Sequence, residues 1–494
     1  MNQSKRKIAP RSLPKVPTGI DGLDEVTGGG LPRSRTTLVC GGAGCGKTLF
    51  GMEFLVRGSL QYHEPGVCIA LDEGADKLAD NFRSLGFDLR ALVKRKKLLV
   101  DHVSVERSEI EETGEYDLDG LFIRLAHAVR SIKAKRVLLD GIDSLFAGLR
   151  NEAVLRAELR RLFRWLDDEN LTAVVTAERG NGTLTRHGLE EYIADCVILL
   201  DHRVTGQIST RRLRLVKYRG TSHGTDEYPY MIDNDGISVL PITSLALTHK
   251  ATNARISAGI PALDEMLGGK GFFRGSSVLV SGTAGTGKSS IATAFASAAC
   301  ARGESCLYVA FEESPGQIIR NMHSVGIDLE QWVQNRSLQF YAVRPTSTGL
   351  EEHLASLQKL IKRLAPSVVV VDPITSVVSV SGIYGVKSML TRLVDFLKVQ
   401  RITSMFTNLT FGKGTEERTE EGVSSLMDTW IVLQTAPKNG LHVRGIHVVK
   451  SRGMPHSREF RELIVGDNGV DLGEVLTHRR AAASDNRRAA AVQR

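Results

Sequence analysis

Two short stretches decide the fold: residues 41–48 read GGAGCGKT, and residues 282–289 read GTAGTGKS. Both match the pattern G-x-x-x-x-G-K-[ST], in which glycines let backbone N–H groups approach phosphate oxygens. Each follows an apolar run typical of a buried strand and precedes a helical pattern, so a helix N-terminus adds a favourable dipole for an anion. Two matches in the same context argue against a chance glycine-rich turn and predict two ATP-binding loops.

The residues predicted to bind ATP in these loops are Gly41, Gly42, Ala43, Gly44, Cys45, Gly46, Lys47 and Thr48 in the first, and Thr283, Ala284, Gly285, Thr286, Gly287, Lys288 and Ser289 in the second. The two lysines are expected to reach the β- and γ-phosphates, and the hydroxyls of Thr48 and Ser289 to bind Mg²⁺. ATP and Mg²⁺ are therefore the expected substrate and cofactor.

The segments around the two loops repeat in the same order. GIDGLDEVTGGG at 19–30 returns as GIPALDEMLGGK at 259–270, and RVLLDGIDSL at 136–145 returns as VVVVDPITSV at 368–377. LVKYRGTSH at 215–223 returns as VVKSRGMPH at 448–456. One domain has been duplicated. We expect a basic disordered arm at 1–12, a first domain at 13–247, a second at 253–476, and a basic disordered tail at 477–494.

Each copy alternates short β-branched runs with longer amphipathic segments. Residues 121–136 (LFIRLAHAVRSIKAKR) and 350–366 (LEEHLASLQKLIKRLAP) space their apolar residues at the helical period, and each precedes a strand-like run. This alternation predicts an α/β fold of two tandem domains, each a mostly parallel sheet with helices on both faces. A more strand-rich region is expected around the Lys-x-Arg element that ends each copy.

Composition and charge exclude some classes of protein. Of the net charge of +8, residues 1–15 supply five positive charges and no acid, and residues 476–494 supply five arginines and one aspartate. The body between them is nearly neutral, which argues against nucleic-acid binding. There is no apolar run of membrane-spanning length and no secretory h-region. The six cysteines include no CxxC pair, which fits buried thiols in a reducing cytoplasm.

Carboxylates at strand ends supply the remaining chemistry. Asp140 and Asp372 end apolar runs, where an acid orients Mg²⁺ or its water. The pairs Asp72-Glu73 and Glu312-Glu313 follow an earlier strand, where a carboxylate activates water or accepts a hydroxyl proton. Glu312 is predicted as the base and an additional metal contact, with Glu313 supporting it. The shorter Asp72 is expected to share its work with Glu73. The alternative for both pairs is a solvated helix N-terminus, where acids are favoured.

The order of loop, paired acids, strand-end Asp and K-x-R-G resembles RecA-type ATPases. The duplication, FEESPGQIIRN at 311–321 and VKYRGTSHGTDEYPY at 216–230 are similar to KaiC, the circadian-clock ATPase and kinase family, over about residues 13–473. The resemblance implies RecA-like domains and a homohexamer with ATP between neighbouring subunits.

The resemblance also implies further ATP contacts, some of them from a neighbouring subunit. In the first half these are Ser84, Lys217, Tyr218, Arg219, Thr221 and His223, and in the second they are Arg444, Lys450, Ser451, Arg452 and His456. Residues of a Lys-x-Arg element on a strand share one face, so both cations can approach the same γ-phosphate. On the residues alone, a solvated strand face remains the alternative.

The segment RTEEGVSSLMDTWIVLQ at 418–434 aligns with the autophosphorylation region of the family. The resemblance therefore implies Ser424 and Ser425 as phosphoacceptors and Thr419 as an accessory one. The acceptor pair is Ser-Ser rather than Ser-Thr, so the order of phosphorylation is left open. A helix cap or polar loop is the alternative interpretation.

Partners follow from the same resemblance. GEYDLDGL, near Tyr116–Leu121, resembles the first-half surface that takes a KaiB-like protein, although acidic loops of this kind are often merely solvated. The tail lacks the activator-binding extension of the family, so a KaiA partner is not expected. The leading hypothesis is an ATPase and Ser/Thr autokinase that serves as a clock or signalling switch. A DNA-dependent RecA-like ATPase and an ATP-assembled non-catalytic scaffold are the alternatives.

Overall fold

The computed structural model describes residues 13–103, 118–146, 152–180, 182–185, 188, 193–205, 208–241, 252–347, 349–410 and 423–476. The predicted arm at 1–12, the predicted tail at 477–494 and Thr419 lie outside this part of the chain. The chain divides into two compact units, Met1–Thr243 and Ser244–Arg494. Within the described ranges, no helix combines the length and apolar character needed to cross a membrane.

The first unit contains eleven described strands and six described helices. The strands are β1 (Lys15–Val16), β2 (Leu31–Pro32), β3 (Thr36–Gly41), β4 (Gly66–Ala70), β5 (Leu98–His102), β6 (Arg136–Asp140), β7 (Thr172–Glu178), β8 (Cys196–Thr205), β9 (Ile208–Tyr218), β10 (Glu227–Asp233) and β11 (Gly236–Val239). The helices are α1 (Leu23–Val26), α2 (Lys47–Gln61), α3 (Ala75–Arg83), α4 (Leu89–Lys94), α5 (Asp119–Ile132) and α6 (Glu152–Asp168).

The second unit repeats this order in its described residues. Its strands are β12 (Arg255–Ile256), β13 (Phe272–Phe273), β14 (Ser277–Gly282), β15 (Cys306–Ala310), β16 (Leu338–Ala342), β17 (Val368–Asp372), β18 (Thr403–Leu409), β19 (Thr429–Lys438), β20 (Leu441–Ser451), β21 (Arg461–Gly466) and β22 (Gly469–Val475). Its helices are α7 (Pro261–Met266), α8 (Lys288–Ala301), α9 (Pro315–His323), α10 (Glu330–Gln334), α11 (Leu350–Leu364) and α12 (Val378–Val399).

Each unit is built on a nine-stranded sheet of the same topology. The order is β11-β10-β9-β8-β3-β7-β6-β4-β5 in the first and β22-β21-β20-β19-β14-β18-β17-β15-β16 in the second. The run from β8 to β5 is parallel, and β9, β10 and β11 extend it as antiparallel strands. The fold predicted from the sequence, including the strand-rich end of each copy, is confirmed.

Both faces of each sheet are buried. In β3 the neighbouring residues Leu38 and Val39 are fully buried and belong to different apolar clusters, one on each side of the sheet. Successive side chains of a strand point to opposite faces, so helices must cover both. The two predicted amphipathic segments form α5 and α11, which supply part of this cover. The central strands therefore end in a rigid edge, and the loops that follow them are held in fixed positions.

A buried arginine distinguishes the first unit from the second. Arg136, at the start of β6, is fully buried and donates to the carboxylate of Glu64 at 2.8 Å. It also donates to the carbonyls of Phe54, in α2, and Pro17. Burial lowers the pKa of the guanidinium, and the Glu64 carboxylate opposes that shift. The corresponding residue in β17 is Val368, which cannot form an ion pair. The buried pair between Arg136 and Glu64 is therefore a feature of the first copy.

Candidate functional site

The two phosphate loops have the same backbone conformation. Gly44 and Gly46 have φ values of 72° and 92°, and Gly285 and Gly287 have values of 76° and 98°. Side-chain-bearing residues rarely adopt these angles, so glycine is required at both pairs of positions. Helices α2 and α8 begin directly after the loops, at Lys47 and Lys288. The sequence GxGK thus places the loop N–H groups at a helix N-terminus, where an anion is favoured.

Each loop lysine contacts backbone carbonyls of its own loop. The Lys47 ammonium donates to the carbonyls of Gly41 and Gly42, both at 2.9 Å. Lys288 makes the equivalent contacts with the carbonyls of Gly282 and Thr283 at 2.9 and 2.8 Å. Burial lowers the pKa of Lys288, while Asp372 and Glu312 oppose the shift. Both ammonium groups therefore lie over the concave side of the loop, where a triphosphate would lie.

The first site brings a hydroxyl and a carboxylate together in the way that Mg²⁺ requires. Thr48 Oγ1 donates to Asp140 Oδ1 at 3.2 Å, and Thr176 Oγ1 donates to the same oxygen at 2.7 Å. Burial raises the pKa of Asp140, and the two hydroxyls oppose the shift. Mg²⁺ prefers a few hard oxygen ligands together with phosphate oxygens and water. The residues present fit this ion.

The second site is an open cavity at the carboxyl edge of the sheet. Its lining includes Lys288, Ser289, Glu312, Glu313 and Asp372, together with loop residues Ala284 and Gly285. The structure thus brings together seven of the residues that the sequence assigns to ATP, metal or catalysis. Ser289 and Asp372 supply the same oxygen types as Thr48 and Asp140, so this site also fits Mg²⁺.

Each candidate base accepts a hydrogen bond from a serine of the next strand end. Ser376 Oγ donates to Glu312 Oε1 at 2.5 Å, and Ser144 Oγ donates to Asp72 Oδ1. Both acids are exposed, and Glu312 lines the second cavity. A carboxylate held by one donor keeps its other lone pairs for a water or hydroxyl proton.

The second acids of the two pairs are placed differently. Glu73 forms an ion pair with Lys77 at 3.1 Å and accepts from the Asn81 amide at 3.1 Å, both in α3. Its carboxylate is therefore engaged with the helix and not with Ser144. Glu313 is exposed and lines the second cavity. This geometry favours Asp72 over Glu73 as the base of the first site, despite its shorter side chain.

The two loops are braced by different side chains. In the first unit Tyr230, buried in β10, donates its hydroxyl to the carbonyl of Cys45 at 2.5 Å. In the second, Arg444 of β20 donates to the carbonyl of Gly285 at 3.1 Å. The resemblance groups Arg444 with cations that face a neighbouring subunit; in the structure it lies on the loop of its own chain. Burial raises the pKa of the Cys45 thiol, so this loop cysteine stays protonated at neutral pH.

The second Lys-x-Arg element contacts the predicted phosphoacceptor segment. Lys450 donates to the carbonyl of Ser424 at 2.5 Å, and Arg452 donates to the carbonyl of Ser425 at 2.8 Å. Burial and the neighbouring Arg452 lower the pKa of Lys450. In the first unit Lys217 is half-buried and Arg219 pairs with Asp195 at 3.7 Å. In each element the lysine lies on the strand and the arginine lies in the turn directly after it, so the placement of both cations on one strand face stays a prediction.

The residues between these cations point the other way. Tyr218 is buried and donates to the carbonyl of Gly30 at 2.8 Å, and Ser451 is buried against Thr429 with 2.8 Å between their hydroxyl oxygens. Their side chains face the core, so only their backbone can reach a nucleotide.

The remaining predicted contacts lie at the surface. Ser84 is exposed at the end of α3 and donates to the Asn81 carbonyl. Thr221, His223 and His456 are half-buried in the turns that follow β9 and β20.

Some side chains that hold the site residues in place were not selected by the sequence analysis. They include Ser144, Ser376, Thr176 and Tyr230, and also Tyr308, whose hydroxyl donates to Asp372 Oδ2 at 2.6 Å. The repeat could have pointed to the two serines, since each lies four residues after the strand-end Asp of its own copy. It could not have pointed to the two tyrosines, because Leu463 takes the position of Tyr230 and Cys68 takes the position of Tyr308 in the other copy.

Comparison with known proteins agrees with this geometry. The family model of the KaiC ATPase matches residues 16–244 and again residues 256–476. The chain belongs to the KaiC family. KaiC relatives match along most of their length. The chain is 53% identical to "Circadian clock protein KaiC2" of Synechocystis sp., and the matched region covers 94% of this chain and 84% of that protein.

Two further KaiC relatives carry the name "Circadian clock oscillator protein KaiC". That of Parathermosynechococcus lividus is 37% identical and covers 94% of this chain and 86% of its own length. That of Synechococcus elongatus is 35% identical and covers 94% of this chain and 89% of its own length. Both halves of the chain are thus KaiC-type ATPase domains.

Proposed function

We propose that this KaiC-family ATPase assembles into a homohexamer, hydrolyses Mg-ATP at both sites, and phosphorylates its own Ser424 and Ser425 in the second domain. The cycle would serve as a clock or signalling switch in the cytoplasm. The observation that carries the proposal is the contact of Lys450 and Arg452 with the backbone of the two serines. It places candidate acceptors next to the cations that would stabilise a γ-phosphate.

Binding of the nucleotide follows from the loops and lysines. The N–H groups at the start of α8 and the Lys288 ammonium would take the phosphate charge. Ser289 and Asp372 would hold Mg²⁺, which supplies charge neutralisation on the phosphate oxygens when bound. In the first domain Lys47, Thr48 and Asp140 would fill the same roles. These are also the residues that the repeat places at equivalent positions.

Glu312 would act as the base of the second site. Ser376 donates to one of its oxygens, which fixes the carboxylate at the edge of the cavity. In hydrolysis it would orient a water; in autophosphorylation it would accept the proton of a serine hydroxyl as the Oγ–P bond forms and the bond to ADP breaks. Asp72, held by Ser144, would orient the water of the first site.

The acceptor serines occupy a short turn, Val423–Ser425, just before β19. With their carbonyls bound by Lys450 and Arg452, the turn has little freedom to move away from the cations. Phosphorylation would add about −2 of charge at this point. In a hexamer with ATP between subunits, that charge would lie at the contact between neighbours and alter their packing.

A partner of the KaiB type would bind the first domain. Part of the segment that suggests it, residues 114–117, lies outside the described residues. Of the remainder, Leu118 and Leu121 are buried and Asp119 pairs with Arg161, so these residues begin α5 and are not a free acidic loop. The relatives are named circadian clock proteins, which supports a clock partner.

The test of autophosphorylation is incubation of the full chain with γ-labelled ATP and Mg²⁺, followed by mapping of the label by mass spectrometry. Wild type should carry label at Ser424 or Ser425, and the Ser424→Ala/Ser425→Ala double variant should lose it. Lys288→Ala should abolish labelling, whereas Lys47→Ala, the matched change in the first loop, should still allow labelling in the second domain. Absence of label within residues 419–425 of wild type refutes the autokinase.

Assembly and the alternative functions are tested on the same protein. Native mass spectrometry with Mg-ATP should show a hexamer, and a monomer under those conditions would contradict the proposal. Addition of single-stranded DNA should leave ATP turnover unchanged. Stimulation by DNA would instead favour a recombinase-like ATPase. If Glu312→Gln changed neither turnover nor labelling, the protein would be an ATP-assembled scaffold.

A further inference from the structure

We propose that Tyr308 is a positioning residue for magnesium in the second domain: its hydroxyl fixes the carboxylate of Asp372, a contact that the first domain lacks because Cys68 takes the corresponding position. The inference rests on the proposed magnesium role of Asp372. It concerns an asymmetry between two sites that share the glycines of the G-x-x-x-x-G-K pattern, the loop lysine and the strand-end aspartate.

The contact follows from the register of the sheet. Strands β15 and β17 are parallel, with Ala310 opposite Asp372 and Tyr308 opposite Val370. Tyr308 and Ala310 share a face, so Tyr308 is the diagonal neighbour of Asp372, one pleat back from the cavity. A tyrosine side chain is long enough to span that diagonal. Its hydroxyl donates to Asp372 Oδ2 at 2.6 Å.

The packing around Tyr308 fixes the position of its phenol ring. Tyr308 is fully buried, and its ring lies against that of Phe340, with centroids 5.3 Å apart. Phe340 is its register partner on β16, so the two rings lie side by side on the same face of the sheet. A buried hydroxyl that lost its acceptor would incur a desolvation cost, which holds the donor on the carboxylate.

The first domain has the threonine contact to its strand-end aspartate but lacks the tyrosine contact. Thr407 donates to Asp372 Oδ1, just as Thr176 donates to Asp140 Oδ1. The tyrosine–phenylalanine pair, however, is replaced by Cys68 opposite Val100. A cysteine side chain is short and its thiol is a weak donor, so it cannot substitute for the phenol.

In the second domain, then, each oxygen of the strand-end carboxylate is oriented by its own hydroxyl. Partners that orient a metal-ligating carboxylate contribute strongly to metal affinity, and their loss costs about 10- to 100-fold. We therefore expect the second site to bind the divalent ion more tightly than the first. We also expect the difference to depend on Tyr308.

The experiment measures bound metal directly. Mn²⁺, an oxygen-preferring probe for the Mg²⁺ site, is titrated into full-length protein saturated with a non-hydrolysable ATP analogue, and free Mn²⁺ is followed by electron paramagnetic resonance. Wild type should show two classes of site per chain. Tyr308→Phe should weaken the tighter class by about tenfold or more. Nucleotide affinity at saturating Mn²⁺ should stay unchanged.

Two further variants make the result decisive. Tyr341→Phe removes a phenol hydroxyl from the next residue of β16, which packs on the opposite face of the sheet, and should leave both classes as in wild type. Asp372→Asn should weaken the same class as Tyr308→Phe. If Asp372→Asn weakens it and Tyr308→Phe does not, the positioning role is refuted while the metal site stands. If neither variant shifts either class, the assignment of Asp372 to metal fails as well.

Thermal unfolding without nucleotide separates positioning from stability. A purely structural tyrosine would lower the unfolding temperature of Tyr308→Phe and leave the Mn²⁺ midpoints unchanged, which would also overturn the inference.

Discussion

Removing one hydroxyl from Tyr230 should loosen the phosphate loop of the first domain. The residue is buried in β10, and its hydroxyl donates to the carbonyl of Cys45 at 2.5 Å. In Tyr230→Phe that carbonyl loses its donor, while the ring can still fill its space in the core. The neighbouring contact of Ile232 with Gly46 would remain, so the loop should keep its position but gain freedom.

The size of the effect follows from the hydrogen bond. A buried hydrogen bond contributes about 0.5–1.5 kcal/mol, and an unsatisfied carbonyl adds to the cost. We expect the variant to lose about 1.5 kcal/mol of stability in the first domain. For a unit of this size, this corresponds to a fall of roughly 3–6 °C in its unfolding temperature. Because nucleotide binding must then reorder the loop, the affinity of the first site should fall by up to about tenfold.

Differential scanning calorimetry, with and without Mg-ADP, measures both quantities. The matched control is Tyr228→Phe, which removes a buried phenol hydroxyl from the same strand, beside Gly224 and not at the loop. Added Mg-ADP should restore less of the stability of Tyr230→Phe than of the control. The reasoning is refuted if Tyr230→Phe unfolds and binds like wild type, or if the control shows the same loss of nucleotide affinity.

Three further predictions concern the other contacts of the sites. Ser376→Ala should lower ATP turnover at the second site about tenfold with an unchanged KM, because the serine orients Glu312 and not the nucleotide. Steady-state phosphate release measures this in a Lys47→Ala background, which removes turnover at the first site, and a higher KM would contradict it. Arg444→Ala should weaken ATP binding by several-fold, up to about tenfold, through the lost bond to Gly285, as followed by fluorescent-nucleotide titration. Burial raises the pKa of Glu53 in the folded protein above its ordinary value of 4.5. The protonated side chain therefore stabilises the fold at low pH, and this contribution is lost as pH rises through the folded-state pKa. Glu53→Gln should lower the free energy of unfolding, measured by urea denaturation, more at about pH 4.5 than at about pH 7.5.

Sequence alone predicted the fold because duplication repeated every signal. The G-x-x-x-x-G-K loop, the strand-end aspartate and the amphipathic helix before it each occurred twice in the same order, and a pattern that recurs in register is hard to produce by chance. The helices at 119–132 and 350–364 were readable from periodicity, and the carboxyl edge of a parallel sheet had to gather the loops and acids.

The contacts that hold the site residues in place were harder to predict. Whether Arg444 reaches its own loop depends on the register of β20 against β19, in which Arg444 lies opposite Thr435, and periodicity does not encode that register. The role of Tyr308 depends on a diagonal across two strands whose pairing is known only from the folded sheet. Glu73 looked equivalent to Glu313, but a lysine one helical turn later captures its carboxylate. Such pairings are set by tertiary geometry.

The buried arginine of β6 has a consequence for how the two halves of this gene can evolve. Repeated sequences tend to exchange segments by recombination, and exchange here would place valine at position 136. The Glu64 carboxylate would then keep Arg33 as a counter-charge but lose Arg136, and the carbonyls of Phe54 and Pro17 would lose the donor that Arg136 supplies. The reverse transfer would place a guanidinium at Val368, within a cluster of buried apolar side chains. The acid that corresponds to Glu64 there is Glu304, which is already paired with Arg274 and Arg302. An exchange confined to this position would therefore cost stability in either half.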